Sequence, residues 1–285
     1  MTSRAIISRQ ISQRTAFVFL TLAAAITVAP VLFIIIYTII MGGGAISWDF
    51  LTQFPSQAGK AGGIFPAIVG TLYLMLGTLV FALPVGILAG IYLTEYARNN
   101  WLTRLINLAI VNLSGVPSIV FGLFGLSVFV LFFHFELSLL AASLTLAVQA
   151  LAMVITTSRE AILAVPREYR EGSLAIGVTK WQTVRHIVLP QALPGIITGA
   201  VLAISRAAGE TAPILVVGAA FLMPRLPQSP FDQFMALPYH LYTVAAHVPN
   251  MPKDTIWGVA LMLLIVVLSF DILAAIIRIK TKQRK

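Results

Sequence analysis

An arginine and a glutamate four residues apart, Arg206 and Glu210, lie inside an apolar run of this chain. Side chains at positions i and i+4 share one face of a helix, so the two are predicted to lie together. An arginine presents a planar fork of N–H donors that suits oxyanions, phosphate above all. Glu210 would hold the guanidinium in place and prevent permanent capture of an anion. The pair therefore predicts a place on a translocation path where an anion binds weakly and is released.

The depth of this pair in a membrane is the reason to assign it a function. The apolar run from 193 to 217 has its midpoint at residue 205, which predicts that Arg206 lies near the middle of a bilayer. A charge there costs about 2.5–3.5 kcal/mol on insertion scales, so an intramembrane ionisable residue is by default a functional candidate. The alternative is a self-neutralising structural ion pair that locks the helix against its neighbours. Pro213 favours a function, because it frees the backbone at Gly209, between the two charges.

Composition identifies the elements that must position the pair. The chain has 285 residues, of which 59% are hydrophobic and only 10% charged, with a mean hydropathy of +0.94. A soluble domain is usually about 25% charged. Uncharged runs here repeatedly exceed the roughly 18–20 residues that cross a hydrocarbon core. We therefore predict an all-α polytopic membrane protein with six transmembrane helices, at about 16–41, 65–94, 105–133, 137–157, 193–217 and 255–277.

The first apolar run is too long for the core of a cleaved signal peptide, so we interpret it as a retained helix. Residues 1–15 are then a short cytoplasmic segment, and 16–285 form one transmembrane domain.

The positions of lysine and arginine predict the orientation. Fifteen of them fall in the N-terminal segment, the 95–104 link, the 159–190 segment and the C-terminal tail, whereas three fall in the other loops. Both termini and the 159–190 segment are therefore predicted to be cytoplasmic, and 42–64 and 221–254 face the outside. Because topology accounts for the net charge of +9, no nucleic-acid partner is needed to explain it.

Signs of catalysis are missing from the sequence. There is no cysteine, which removes disulfides, thiolate metal sites and cysteine nucleophiles. Gly59-Lys60 is followed by Ala61 and lacks the earlier glycine of a phosphate-binding loop. No serine–histidine–carboxylate or metal-ligand constellation is present, and we predict no cofactor. The chain is therefore predicted not to be an enzyme, and any ATP must be hydrolysed by a partner.

Three prolines interrupt the predicted spans and free the carbonyls four residues earlier; they are Pro84, Pro117 and Pro213. In lipid such a carbonyl must find a partner or line a wet cavity. The alternative is a simple kink packed against neighbouring helices. Glycines recur in the same spans and predict close approach between helices.

The polar segment 159–190 reads as two short helices exposed below the bilayer. Gly177 can end the first helix in a left-handed conformation. Thr179, with Gln182 three residues later, can cap the second through a capping box. Apolar anchors amid charges, Leu174, Ile176 and Trp181, suit docking into a groove on another protein. The alternative is an amphipathic connector lying on lipid headgroups.

The spacing in this segment resembles the EAA loop of ABC importer permeases, E-A-A, three residues, G, nine residues, I-x-L-P. Glu171, Gly177, Ile187, Leu189 and Pro190 fall in register, while Gly172 and Ser173, both small, replace the two alanines. The resemblance implies a type I ABC importer permease fold. It also implies that these residues form the coupling contact with a cytoplasmic ATPase subunit.

Three further strings resemble the phosphate-specific transport permeases of the A type: 205–213 (SRAAGETAP), 115–122 (GVPSIVFG) and 70–73 (GTLY). The resemblance implies a multi-pass subunit of the plasma (inner) membrane that moves inorganic phosphate inward. The implied partners are a second permease subunit in a heterodimer, an ATP-binding-cassette ATPase dimer, and an external phosphate-binding protein that docks on 42–64 and 221–254.

Two alternatives remain open at this point. The cargo could be another oxyanion, such as sulfate or molybdate. The chain could also be a self-contained anion channel or ion-coupled carrier that uses Arg206 and Glu210 directly. Under the ABC importer hypothesis, ATP-driven motion would enter at 171–190 and reach the charged pair along one continuous helix.

Overall fold

The computed structural model describes residues 3–282 of the chain, and the side-chain surroundings of residues 13–280. The first two residues of the predicted N-terminal segment and the last three of the basic tail lie outside the described residues. Helices dominate, and in this part of the chain the only sheet is a two-residue hairpin, with β1 (Pro55–Ser56) antiparallel to β2 (Ala61–Gly62).

Within residues 3–282, five helices are long and apolar enough to cross a membrane, and a bent pair of helices supplies a sixth span. This confirms the prediction of an all-α membrane protein. The spanning helices are α1 (Ser3–Gly42), α3 (Phe65–Ile91), the pair α4 (Trp101–Ser114) and α5 (Ser118–Gly125), α6 (Leu139–Leu163), α9 (Leu189–Gly209) and α12 (Lys253–Lys282).

Short helices connect them: α2 (Trp48–Thr52), α7 (Arg167–Ala175), α8 (Lys180–Thr183), α10 (Ala212–Leu215) and α11 (Leu237–Ala246). Three π-helical turns extend longer helices: Tyr92–Tyr96 continues α3, Leu126–Phe132 continues α5, and Val184–Val188 joins α8 to α9. As a result, Phe65–Tyr96 and Lys180–Gly209 are each one unbroken helical rod.

The centre of the bundle is the contact between α3 and α6, and glycines permit it. A Cβ added at Gly77, Gly86 or Gly90 would run into the α6 residues Ser143, Val154 and Ser158. Such close approach is how helices gain packing energy in a membrane, where lipid tails are as apolar as leucine. The predicted role of the glycines as contact points is therefore confirmed for this pair, and α9 packs along the same α6.

The third predicted span, 105–133, is not one helix. It is divided at Gly115–Pro117 into α4 and α5, and the two halves meet at a bend of 106°. Pro117 has no N–H to continue the ladder, and it pushes Val116 out of helical conformation. The prediction of a single helix was wrong here, and the break is far larger than a simple kink. Pro84, in contrast, lies inside α3 without ending it.

The fifth predicted span, 193–217, is also divided. Helix α9 ends at Gly209, Glu210 is extended (φ −73°, ψ 125°), and Pro213 lies in the first turn of α10. Arg206 is therefore in the last turn of its helix, and the prediction of one continuous helix over 193–217 was wrong. A proline at the start of a helix loses nothing, because the first N–H groups have no helical partner.

Residues 42–64 and 221–254 are called the outer segments, after the side predicted for them. The stretch Phe234–Leu237 is the most buried part, each residue being at most 1% exposed. Its backbone is held from two directions: the N–H of Ala220 donates to the carbonyl of Phe234 (2.8 Å), and the N–H of Leu237 donates to Oγ1 of Thr71 on α3 (2.8 Å). The second outer segment is thus anchored on the end of α3.

A buried histidine packs beneath this segment. His240 on α11 is 1% exposed, its ring stacks on Phe221 with centroids 5.5 Å apart, and its Nδ1 lies 3.4 Å from the carbonyl oxygen of Phe221. Burial lowers the pKa of His240 to about 4 from 6.5, against the smaller opposing effect of the bond to Phe221. The ring is therefore neutral in the folded protein at neutral pH.

Acid should loosen the outer segments through this histidine. Between pH 6.5 and about 4, His240 is protonated in the unfolded chain but stays neutral in the folded protein. The free energy of unfolding therefore falls as the pH drops through that window. At about 1.4 kcal/mol per pKa unit, the loss is on the order of 3 kcal/mol. His240→Phe should remove this part of the acid sensitivity, measured as the unfolding midpoint of the purified protein at pH 7 and pH 4.5. His247→Phe, at an exposed histidine, is the control; equal acid sensitivity of both variants and the unaltered chain would contradict the assignment.

Candidate functional site

A cavity lies where the two divided spans face each other. Its walls come from the end of α4 and the start of α5, from α6, and from the end of α9; they are Leu113, Ser114, Val116, Phe121, Leu146, Gln149, Ala150, Ala152, Met153, Ala203, Arg206, Ala207 and Glu210. The cavity has a volume of about 40 Å³. One water needs roughly 10–15 Å³ on this measure, so the space holds a few waters.

The breaks themselves form this site. Gly122 of α5 packs directly against Pro213, because a Cβ at Gly122 would lie 2.9 Å from the Cα of that proline. The structure therefore brings together the strings 115–122 and 205–213, which are far apart in sequence. Helix ends in a membrane leave polar backbone groups that must be satisfied or wet, and here two such ends adjoin one polar cavity.

The predicted Arg206–Glu210 pair forms. Nε of Arg206 lies 3.5 Å from Oε1 of Glu210, although Glu210 has already left the helix. The two side chains differ in exposure, 65% for Arg206 against 16% for Glu210. Within the described part of the chain, the terminal nitrogens of Arg206 donate no hydrogen bond to another residue. They remain available to an anion, whereas the carboxylate is recessed.

Gln149, which the sequence analysis did not identify, binds the carboxylate of Glu210. Nε2 of Gln149 on α6 donates a hydrogen bond of 2.7 Å to the same Oε1 of Glu210. Its own Oε1 is buried without a partner among the described residues. The signal in the sequence was a glutamine inside an otherwise apolar span. Gln149 thus fixes Glu210, and Glu210 in turn orients the guanidinium.

The segment 159–190 has the predicted caps; we call it the coupling segment, after the role predicted for it. Gly177 has φ +83°. Its N–H donates to the carbonyl of Leu174 (3.0 Å), and the N–H of Val178 donates to the carbonyl of Ser173 (3.3 Å). These two bonds are a Schellman motif. The capping box at Thr179 and Gln182 is also present. Both predictions are confirmed, and together they set a defined turn between α7 and α8.

The small residues of this segment have different surroundings. Gly172 is exposed with open space around it, whereas Ser173 is buried and its hydroxyl lies 2.9 Å from that of Thr183 on α8. Ser173 stands where the EAA pattern has an alanine, and its buried hydroxyl has a hydrogen-bond partner in the hydroxyl of Thr183 across the turn. This bond joins α7 to the rod Lys180–Gly209.

The remaining predicted coupling residues are distributed along the segment. Glu171 is exposed on α7, Ile187 is half-buried in the π turn, and Leu189 and Pro190 begin α9. The predicted apolar anchors Leu174, Ile176 and Trp181 are 49%, 80% and 57% exposed. The coupling segment therefore exposes three large apolar side chains.

Two polar contacts that spacing alone did not indicate brace the same end of the bundle. Arg170 on α7 forms an ion pair with Glu95, and Nη1 of Arg159 donates to Oδ1 of Asn107 on α4 (2.7 Å). Both join residues more than fifty positions apart, so neither follows from helical periodicity.

The chain is a bundle of apolar helices. It has a charged cavity between two broken spans and a capped polar segment at one end. These features define a membrane permease. Comparison with known proteins agrees. Residues 82–283 match the family described as binding-protein-dependent transport system inner membrane component. The chain belongs to this family and is a multi-pass permease subunit of an ABC importer, with ATP hydrolysed by a separate subunit.

Relatives cover nearly the whole chain. It is 33% identical over 282 residues to the "phosphate transport system permease protein PstA 1" of Mycobacterium tuberculosis, with 97% of this chain and 92% of that protein covered. It is 34% identical over 249 residues to the "probable ABC transporter permease protein YqgI" of Bacillus subtilis, with 86% and 84% covered.

Solved structures share the fold at low identity. A bacterial alginate ABC transporter chain matches with a TM-score of 0.66 and 15% identity, over 93% of this chain and 94% of that one. A chain of the inward-facing MetNI methionine ABC transporter matches with a TM-score of 0.62 and 20% identity, over 76% and 97%. These matches confirm the predicted type I importer permease fold.

The Gln149–Glu210 contact predicts a measurable loss of stability. Gln149→Leu removes a hydrogen bond to a charged group but also removes an unpartnered buried oxygen, so we expect a net loss of about 1–2 kcal/mol. The measurement is thermal unfolding in detergent. Met153→Leu, which lines the same cavity and preserves volume, is the control and should cost less. A Gln149→Leu protein as stable as the control would show that the contact contributes nothing.

Proposed function

We propose that this chain is the permease subunit of a phosphate importer, moving inorganic phosphate into the cytoplasm while a separate ATPase subunit hydrolyses ATP. The observation that carries the proposal is Arg206 itself, which lines a polar cavity between two broken spans and whose terminal nitrogens donate to no residue that the structure describes. The 33% identity to a protein named as a phosphate transport permease supports the choice of cargo.

The geometry suits weak, reversible binding of an oxyanion. Glu210 lies near Nε, which leaves the Nη1 and Nη2 groups of Arg206 free to donate in parallel to two phosphate oxygens. Glu210 also offsets the positive charge, so the anion is not held permanently. The cavity holds only a few waters, and passage of phosphate therefore needs the α4–α5 and α9–α10 breaks to move apart.

The exposure of Arg206 supports a second permease subunit. A guanidinium that is 65% exposed near the end of an apolar helix would face lipid if this chain were alone. Such a charge is costly in hydrocarbon. A partner permease packed against this face would enclose the path between two chains, as the predicted heterodimer requires.

The two ends of the bundle suit the other proposed partners. The exposed anchors Leu174, Ile176 and Trp181 would enter a cleft of one ATPase subunit, with Glu171 and Gly177 at the contact. On this proposal the coupling segment and both termini are cytoplasmic, and the outer segments receive an external phosphate-binding protein.

Two alternatives are separated by one experiment. The fold is shared with proteins named for methionine and alginate, so the fold does not select the cargo. Vesicles containing the assembled complex, and vesicles with this chain alone, should be compared for uptake of phosphate, sulfate and molybdate. We expect ATP-dependent uptake of phosphate by the complex only. Preference for another oxyanion would change the cargo, and uptake without an ATPase would replace the importer by a channel or carrier.

Arg206→Ala should strongly reduce transport and leave assembly intact. A bidentate charged contact contributes about 1.5–3 kcal/mol, so uptake should fall roughly 10- to 100-fold. Uptake by vesicles and co-purification of the ATPase are the two measurements. Arg104→Ala, an exposed arginine that contacts Asn99, is the control and should transport normally. If Arg206→Ala loses the complex as well, the pair is a structural lock and not part of the path.

Gly177→Val should weaken ATPase association. Nothing lies within 4 Å of a Cβ at this position, so a clash is not the cause; φ +83° is the cause, because a β-branched residue resists it. Pull-down of the ATPase subunit measures the effect. Gly43→Val is the matched control, because it lies outside the coupling segment, nothing lies within 4 Å of its added Cβ either, and its φ is not positive. An unaltered pull-down would indicate that the segment lies on lipid headgroups instead.

A further inference from the structure

Both helices of the coupling segment contact the end of the rod Phe65–Tyr96 that the positions of lysine and arginine predict to face the cytoplasm. From α7, the Nε and Nη2 of Arg170 donate to Oε1 of Glu95 at 3.0 and 2.9 Å. From the start of α8, the ammonium of Lys180 lies 5.2 Å from the ring centroid of Tyr96, a cation–π distance. Glu95 and Tyr96 are neighbours in the π turn that ends the rod Phe65–Tyr96.

Arg170 also holds the end of α6. Its Nη1 donates to the carbonyls of Val165 (2.7 Å) and Pro166 (3.4 Å), and its Nη2 to that of Ile162 (2.8 Å). One planar guanidinium thus binds three elements, α7, the last turn of α6 and the π turn after α3. The side chains are largely buried, 18% exposed for Arg170 and 9% for Glu95, so water competes weakly for these bonds.

The other end of α3 holds the outer segments. Thr71 accepts the N–H of Leu237, and Gly70 lets the backbone at Met235 pack directly on the helix. The whole rod Phe65–Tyr96 that carries these contacts has 32 residues, which corresponds to about 48 Å at 1.5 Å per residue. That length exceeds a hydrocarbon core of about 30 Å. The rod Phe65–Tyr96 is therefore one continuous helical connection between the coupling segment and the outer segments, and its α3 part is closely packed along α6.

We propose that Arg170 is a positioning residue which, through Glu95, makes the coupling segment move as one body with α3 and α6. Displacement of that segment is then delivered to the outer segments by α3, in addition to reaching Arg206 along α9. The proposal rests on the proposed function in one respect, that an ATPase drives the coupling segment. It adds a second route for the motion and assigns the residues that connect it.

The conservative variants Arg170→Lys and Glu95→Gln test this connection in the vesicle-reconstituted complex. Lysine keeps the charge but cannot bond to Glu95 and the carbonyls together, and glutamine keeps size and loses charge. We expect the complex to assemble and hydrolyse ATP, while phosphate taken up per ATP falls at least about fivefold, the lower end of typical coupling. Glu168→Gln, exposed on the same α7, is the control and should leave the ratio unchanged. An unchanged ratio in both test variants would overturn the proposal.

A second measurement does not depend on how well these variants fold. The chain contains no cysteine, so Tyr96→Cys and Lys180→Cys can be joined selectively by a short thiol-reactive linker. If the coupling segment and α3 move together, the joined protein keeps its uptake per ATP within about twofold of the single-cysteine proteins, since that change corresponds to less than 0.5 kcal/mol. If joining stops uptake, the two elements move apart during transport and the proposal is overturned.

The unaltered complex separates this proposal from the proposed function. Uptake of a different oxyanion would correct the cargo, and the ratio of that anion to ATP would test Arg170 equally well. Transport that needs no ATPase would overturn both, and it would be detected before any variant is made.

Discussion

The need to satisfy backbone polar groups inside a membrane governs this structure. In hydrocarbon each unpaired N–H or C=O costs several kcal/mol, so a span can break only where protein or water takes over its bonds. Two spans break here, and the freed groups find close partners: Gly115 bonds back to Asn112 (3.0 Å), and Glu210 to Ala207 (3.2 Å). Because the breaks adjoin, the polar groups left over share one small cavity.

That arrangement explains why the charged pair can exist at all. Arg206 ends a helix instead of interrupting one, and Glu210 lies in extended backbone where its carboxylate meets Gln149. The carboxylate is recessed and bonded twice over, whereas the guanidinium keeps its outer nitrogens free. A site of this kind can attract an anion without becoming a permanent ion pair with it.

In the coupling segment, by contrast, several polar contacts hold the chain in one arrangement. The Schellman turn and capping box fix the angle of the chain, Ser173 and Thr183 join the two helices, and Arg170 ties them to α3 and α6. On the proposed function this segment would receive force from the ATPase subunit, and these contacts would limit how much of the displacement it absorbs. On the proposed function, the chain is therefore braced where it would meet the ATPase and broken at the cavity, where passage of an ion would require walls that can move.

Sequence alone determined the class of this protein, because its apolar runs are long enough to span a bilayer. Local periodicity and backbone chemistry also predicted the caps at Gly177 and Thr179 and the i, i+4 pairing of Arg206 with Glu210. It did not show that the spans at Pro117 and Pro213 break completely, since a lone proline is compatible with either a kink or a break. Nor did it find Gln149 as the partner of Glu210, or Arg170 as the partner of Glu95, 61 and 75 positions away. Those contacts depend on which helices pack together. Packing such as the close approach of α3 to α6 at glycines exists only in the assembled bundle, so these contacts could not be found from local sequence patterns.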